Sequence, residues 1–126
     1  MTINTELTGK VIGCAMKVHS TLGSGFQEAI YQRALSIELG NNGIRHKREY
    51  EMPIHYHQEL IGTRRVDFLV EDSLSVELKA LTHIEDVHLA QAMNYLEAYN
   101  LPVGLLINFG GRSLQFHRLT NKKYKP

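Results

Sequence analysis

The chain is poor in the features that staple or anchor a small protein. Cys14 is its one cysteine, which excludes an intrachain disulfide and any zinc or iron–sulfur centre built on several cysteines. Tryptophan is absent and proline occurs three times, so no proline-rich linker divides the sequence. No apolar run approaches the roughly 18 residues of a membrane helix. Met1, Thr2, Ile3, Asn4, Thr5 and Glu6 place no basic segment ahead of an apolar run, so no secretory signal is expected and the expected setting is cytoplasmic. Neither sign of charge dominates. Fourteen Lys and Arg stand against 13 Asp and Glu, a net +1 that neither demands nor forbids a polyanionic partner. What is present is ordinary globular material, 43% hydrophobic and 21% charged over 126 residues. That length predicts one domain, 1–126, able to bury about two thirds of its unfolded surface and too short for a separate cofactor module.

Charge is informative in its distribution. Arg112, Arg118, Lys122, Lys123 and Lys125 follow one another without an acid, giving a basic C-terminal tail (121–126) that reads as a solvated terminus. Arg45, Lys47, Arg48, Arg64 and Arg65 form a second basic group, diluted by Glu49, Glu51 and Glu59.

Leu7, Val11, Ala15, Val18 and Leu22 recur at helical spacing and predict an amphipathic helix over 6–22. Ser24 with Gln27 has the form of a capping box, opening a second helix over about 26–39 that Gly40, Asn41, Asn42 and Gly43 close. Tyr50, Met52, Ile54 and Tyr56 alternate as in a strand, with both tyrosines on its apolar face. Pro53 makes this an edge strand or a bulged one. Residues 61–70 and 74–81 read as two further strands. Thr82 with Glu85 reads as another capping box for a helix running to about Asn100. Residues 103–109 are nearly continuously apolar, as in a strand of a parallel pair buried on both faces, and a last strand is expected around 113–119. The order ααβββαββ implies an α/β fold, a mixed sheet with helices packed against it.

The chemistry concentrates in the hairpin of 66–70 and 74–79. Glu77 and Lys79 share one face of their strand, and Val76, Leu78 and Ala80 the other. Pairing Val70 with Leu74 sets Phe68 opposite Val76 and Val66 opposite Leu78, one matched apolar face, and brings Asp67 opposite Glu77. Carboxylates so placed have Cβ atoms only about 4.5–5.5 Å apart and repel. A hard divalent cation relieves the conflict, and Lys79 on the same side can face a scissile phosphate. The plain alternative is a solvated hairpin face on which Lys79 neutralises Glu77.

Asp67 followed by Glu77-Leu78-Lys79 resembles the Asp…(Asp/Glu)-x-Lys core of the PD-(D/E)XK nuclease superfamily. More narrowly, the chain resembles the GxxExxY proteins of that superfamily. Gly25-Phe26-Gln27-Glu28-Ala29-Ile30-Tyr31 carries the naming motif. Val76 to Ala80, His88-x-x-Gln91-x-x-Asn94-Tyr95-Leu96 and Gly104 to Gly110 continue the match over about 6–120. Val66 stands where the superfamily's proline is usual. The resemblance implies a restriction-endonuclease-like core with Asp67, Glu77 and Glu28 as ligands of Mg²⁺ or Mn²⁺ and the Leu78 carbonyl as a further donor. Lys79 becomes the catalytic lysine, and Gln91 and Tyr95 the Gln-x-x-x-Tyr element that contacts site or DNA. Spacing agrees with the last point, since His88, Gln91 and Tyr95 make one stripe beside the apolar stripe of Leu89, Ala92, Met93 and Leu96. For Glu28, placement in a first helical turn is also explained by the helix dipole.

The expected activity is Mg²⁺- or Mn²⁺-dependent hydrolysis of DNA phosphodiesters at Glu28, Asp67, Glu77, Lys79 and Gln91. Arg65, His88, Gln91 and Tyr95 are the expected nucleic-acid contacts. A homodimer would supply two sites for two strands. The rivals are a nucleic-acid- or protein-binding module retaining the fold without turnover, and a hydrolase of small phosphate esters. A closed pocket favours the latter, whereas an open groove flanked by Arg64, Arg65 and the basic tail favours a nuclease. His55 and His57 share a strand face without a third metal ligand, and Cys14 falls on the apolar side of the first helix.

Overall fold

A computed structural model describes residues 5–126; residues 1–4, read above for a signal segment, lie outside the described residues. The elements are α1 (Thr5–Leu22), α2 (Glu28–Asn41), β1 (His46–Tyr56), β2 (Glu59–Val70), β3 (Leu74–Lys79), α3 (Asp86–Ala98), β4 (Val103–Asn108) and β5 (Gln115–Thr120). This is the expected order. The five strands form one mixed sheet in chain order, antiparallel except for the β3–β4 pair that the α3 crossover makes parallel. β1 is an edge strand, and its register slips between Ile54 and His55, just after Pro53. Every residue of β4 is buried, as its nearly continuous apolar sequence predicts. Among the described residues no helix is long and apolar enough to cross a membrane.

Strand alternation divides the core into two clusters. Phe68, Val70, Val76, Leu78, Leu105 and Ile107 pack against Val11, Ala15, Val18, Leu35 and Leu39 of α1 and α2. Met52, Val66 and Leu69 pack against Leu96 and Tyr99 at the α3 side. α3 lies close over β4, where a Cβ on Gly104 would meet Leu96 Cδ1 at 3.2 Å. Cys14 is a buried member of the first cluster.

Both helix starts differ from expectation, because other hydrogen bonds take the place of the expected capping boxes. α2 begins at Glu28 with Gln27 as its N-cap and no side-chain cap bond, so Ser24 does not cap it. The Tyr31 hydroxyl holds the preceding turn instead, donating to the Gly23 carbonyl at 2.5 Å and accepting from Phe26 N–H at 3.1 Å. Likewise α3 begins at Asp86, capped by Glu85 and His88 rather than Thr82 and Glu85. The segment before it is tied down by Leu81 N–H to Asn108 Oδ1 and Ile84 N–H to Gln115 Oε1. Tyr56 also departs from its expected place on an apolar face, being 64% exposed near the β1–β2 turn.

Tyr31 is fully buried, with its ring stacked on Phe109 at 4.7 Å. Tyr31→Phe keeps the stack and strands the two backbone groups, so a loss of about 1–3 kcal/mol is expected in chemical denaturation. An unchanged midpoint would show that water replaces the hydroxyl without cost.

Candidate active site

The β2–β3 hairpin has the expected register at its turn, with Val70 opposite Leu74, Leu69 opposite Ser75 and Phe68 opposite Val76. The ladder stops there. The expected Val66–Leu78 pair does not form, and Val66 packs in the α3-side cluster while Phe68 and Leu78 face α1 and α2. β2 therefore changes face across Asp67. In β1 the matching break falls at Glu49, whose φ of 53° lies in the left-handed region that non-glycine residues seldom occupy. The parting of the strands leaves Leu78 N–H without a ladder partner, and the Asp67 carboxylate takes it, Oδ2 accepting at 2.8 Å.

The other oxygen, Asp67 Oδ1, accepts from Gln32 Nε2 at 2.8 Å, and Gln32 Oε1 accepts from Arg48 Nη1 at 3.1 Å. Asp67 is thus held from two sides, by the β3 backbone and by a relay from α2 and β1. Glu28 and Gln32 are four residues apart on α2, so one helix face delivers both.

Glu77 pairs with Leu106 of β4 but lies beyond the last β2–β3 pair, so the expected Asp67–Glu77 pair does not form either. It is only 9% exposed, and its Oε1 is buried without a hydrogen-bond partner. Burial pushes its carboxyl up to about 8, and the neighbouring Asp67 charge pushes the same way against Arg64 and Lys79. An orphaned acceptor beside a second carboxylate is an unfinished arrangement. The Glu28 carboxyl is also raised, by desolvation, with Lys79 drawing it down and Asp67 driving it up. One cleft of about 240 Å³ collects Glu28, Gln32, Glu49, Arg64, Arg65, Asp67, Glu77, Leu78 and Lys79. Its rim residues Glu28, Glu49 and Arg65 are exposed, so the cleft is a groove rather than a closed pocket. A crevice of about 10 Å³ continues from Glu77 and Lys79 to Gln91 and Tyr95 on α3. Gln91 Nε2 donates to the Tyr95 hydroxyl at 3.0 Å.

The structure thus brings together Glu28, Asp67, Glu77, Lys79, Gln91 and Tyr95. His88 lines neither hollow; its Nδ1 accepts from Glu85 N–H at 2.9 Å and caps α3. Arg65 lines the cleft but is paired with Glu49 and Glu51 at 3.4 and 3.8 Å. The basic tail is tied back to the end of α3, through reciprocal Asn100–Lys125 hydrogen bonds and a Lys123–Glu97 ion pair. Sequence reasoning missed Gln32 and Arg48. The spacing from Glu28 could have found the first; nothing separated Arg48 from the other basic residues around it.

Among the described residues no group of three or more His, Cys, Asp or Glu is spaced to hold a metal ion. Two carboxylates with an orphaned buried oxygen do suit a hard cation such as Mg²⁺, which takes one or two carboxylates and completes its shell with water and phosphate oxygens.

The chain matches the model of the PD-(D/E)XK nuclease superfamily over residues 5–119 and belongs to that superfamily, whose nucleases typically use divalent metals. Among solved structures, the crystal structure of SSO0001 is similar in fold, with a TM-score of 0.52 and 15% identity. The similarity covers 87% of this chain and 65% of that one, so this chain spans less than two thirds of its length. No curated protein matches the chain.

Proposed function

We propose that the protein is a Mg²⁺- or Mn²⁺-dependent nuclease that hydrolyses phosphodiester bonds of DNA, and that it belongs among the GxxExxY proteins. The observation that carries this reading is the buried, unpartnered Glu77 Oε1 beside Asp67, in a groove that also holds Lys79. Asp67 and Glu77 hold the ion, with the Leu78 carbonyl as a further donor and Glu28 acting from the rim through water. The bound ion supplies Lewis-acid charge to the phosphate and acidifies a water. The relay of Gln32 and Arg48 keeps the Asp67 carboxylate in one orientation. Lys79 sets its ammonium against the attacking water and the phosphate, a fixed positive charge where negative charge develops. Gln91 and Tyr95, joined by their own hydrogen bond, orient the substrate strand from α3.

The exposed rim favours a polymeric substrate over a small phosphate ester, which a closed pocket would suit better. On this reading residues 1–126 act as one domain in a cytoplasmic setting, and a homodimer provides one site for each strand.

The test is cleavage of single-stranded, duplex, nicked and branched DNA with Mn²⁺, Mg²⁺ or EDTA, wild type beside Lys79→Ala and Glu77→Ala. Metal-dependent cutting that both substitutions abolish is the expected result. Wild type that neither cuts DNA nor binds Mn²⁺ in calorimetry would overturn the nuclease reading and leave a binding module on this fold.

A further inference from the structure

Three arginines lie on β1 and β2, and they are used differently. Arg48 serves the Gln32 relay and lies 3.8 Å from Glu49, and Arg65 is paired with Glu49 and Glu51. Among the described residues Arg64 makes no ion pair. Its guanidinium sits over the Tyr95 ring, Cζ 4.5 Å from the centroid. Tyr95 is held in turn by Gln91 and by a near-parallel stack on Tyr99, with centroids 6.1 Å apart. Arg64 Nε is buried with no hydrogen-bond acceptor. Arg64 also lines both the cleft and the crevice, so it stands where Glu77 and Lys79 meet Gln91 and Tyr95.

A half-buried guanidinium resting on a ring face, with no carboxylate in contact, is expensive unless an anion completes it. Glu77 is an acid on which its charge acts. If Glu77 holds a cation, its charge is taken, and Arg64 then faces a cation and Lys79. A phosphate oxygen is the acceptor that suits a planar fork fixed in this way. Tyr95 and Gln91 then have a second use beyond touching the strand, as the shelf that keeps the fork in place.

We propose that Arg64, rather than the acid-paired Arg65, is the phosphate-gripping residue of the cleft, holding a non-bridging oxygen of the nucleic-acid backbone with Tyr95 as its support. The proposal rests on the nuclease reading and adds to it the residue that positions the substrate's charge.

The test is binding, measured in EDTA so that no strand is cut. Fluorescence anisotropy follows a short duplex and a short single strand of random sequence, titrated between about 50 and 200 mM salt. Arg64→Ala is expected to weaken binding about 3- to 10-fold at low salt and to lower the salt slope by about one. Arg64→Lys is expected to keep the slope while binding more weakly, because an ammonium makes a poorer stack and no fork. Tyr95→Leu is expected to leave the slope and weaken binding, since it removes the support and keeps the charge. If Arg64→Ala does not fold, judged by circular dichroism, Arg64→Gln takes its place as the neutral variant of similar reach. Weakening by the neutral Arg64 variant without a change of slope means a structural residue and overturns the proposal. So does wild-type affinity and slope in the neutral variant; if wild type still cuts DNA in a metal- and Glu77-dependent way, the nuclease reading survives. Wild type that binds neither strand overturns the proposal and, if it also fails to cut, the reading beneath it.

Discussion

Glu77→Gln is expected to stabilise the metal-free protein and to abolish its metal-dependent activity, two large effects of opposite sign from one atom. The stability effect follows from where the proton sits. In the unfolded chain Glu77 ionises near 4.5, whereas in the fold burial and the Asp67 charge hold the proton up to about 8. Between those values the folded state binds more protons than the unfolded state, so stability falls as pH rises through that window and levels off above it. Glutamine carries no such proton. Its advantage over wild type should therefore be small near pH 4.5, grow with pH, and reach roughly 3–5 kcal/mol by about pH 8–9.

Denaturant melts of both proteins in EDTA, taken at intervals from pH 5 to pH 9, measure this directly. Parallel profiles would mean that Glu77 is ionised in the fold without cost, and the argument from its burial would fail. Metal gives the complementary result. Addition of Mg²⁺ or Mn²⁺ should stabilise wild type by mass action, more strongly at high pH where no proton has to be displaced. The glutamine variant should show little of that gain and no cleavage. A site that is costly when empty and stable when filled is what two neighbouring carboxylates are expected to give, and it separates a metal site from a merely tolerated buried acid.

Much of this was legible in the sequence because it depends on strand parity. The alternation in 74–79 placed Glu77 and Lys79 together, and the turn at Glu71, Asp72 and Ser73 fixed the register of the three pairs that form. Helical spacing put Gln91 and Tyr95 on one stripe, and both reach the crevice beside Glu77. What escaped was whatever breaks a local rule for a tertiary reason. Parity carries Val66 to the same face as Phe68, yet β2 turns over at Asp67 and Val66 joins the opposite cluster. No local residue pattern announces that turn, which goes with a side-chain carboxylate in place of a ladder partner at Leu78 N–H. The capping boxes failed likewise, displaced by Tyr31 at one helix and by Asn108 and Gln115 at the other. The choice between adjacent arginines was also out of reach, since it depends on Glu49 and Glu51 engaging Arg65.

Gly110→Ala is expected to be the most damaging glycine substitution in the chain, with a loss above about 4 kcal/mol. The reason lies at the end of β3, where Lys79 leaves the sheet. Asn108, fully buried at the end of β4, bonds to both sides of that exit. Its Oδ1 accepts Leu81 N–H at 2.8 Å and Gly110 N–H at 3.2 Å, while its Nδ2 donates to the Leu81 carbonyl and to Gln115 Oε1, both at 2.9 Å. Phe109 N–H closes the clamp on the Lys79 carbonyl at 2.8 Å. Two backbones meet here at a distance only glycine permits, for a Cβ on Gly110 would strike the Leu81 backbone and the Ala80 carbonyl carbon. No flexible side chain stands there to give way, so either the clamp opens or the strand end carrying Lys79 shifts. Gly25 is the comparison. It opens the GxxExxY motif, yet a Cβ there meets nothing within 4 Å, and Gly25→Ala should leave the melting temperature within a few degrees of wild type. Thermal melts of the two variants decide the matter: similar curves would show that the close approach at Gly110 is relieved cheaply. If Gly110→Ala folds at reduced stability, its cleavage should fall further than its folded fraction does, because the displaced element carries Lys79.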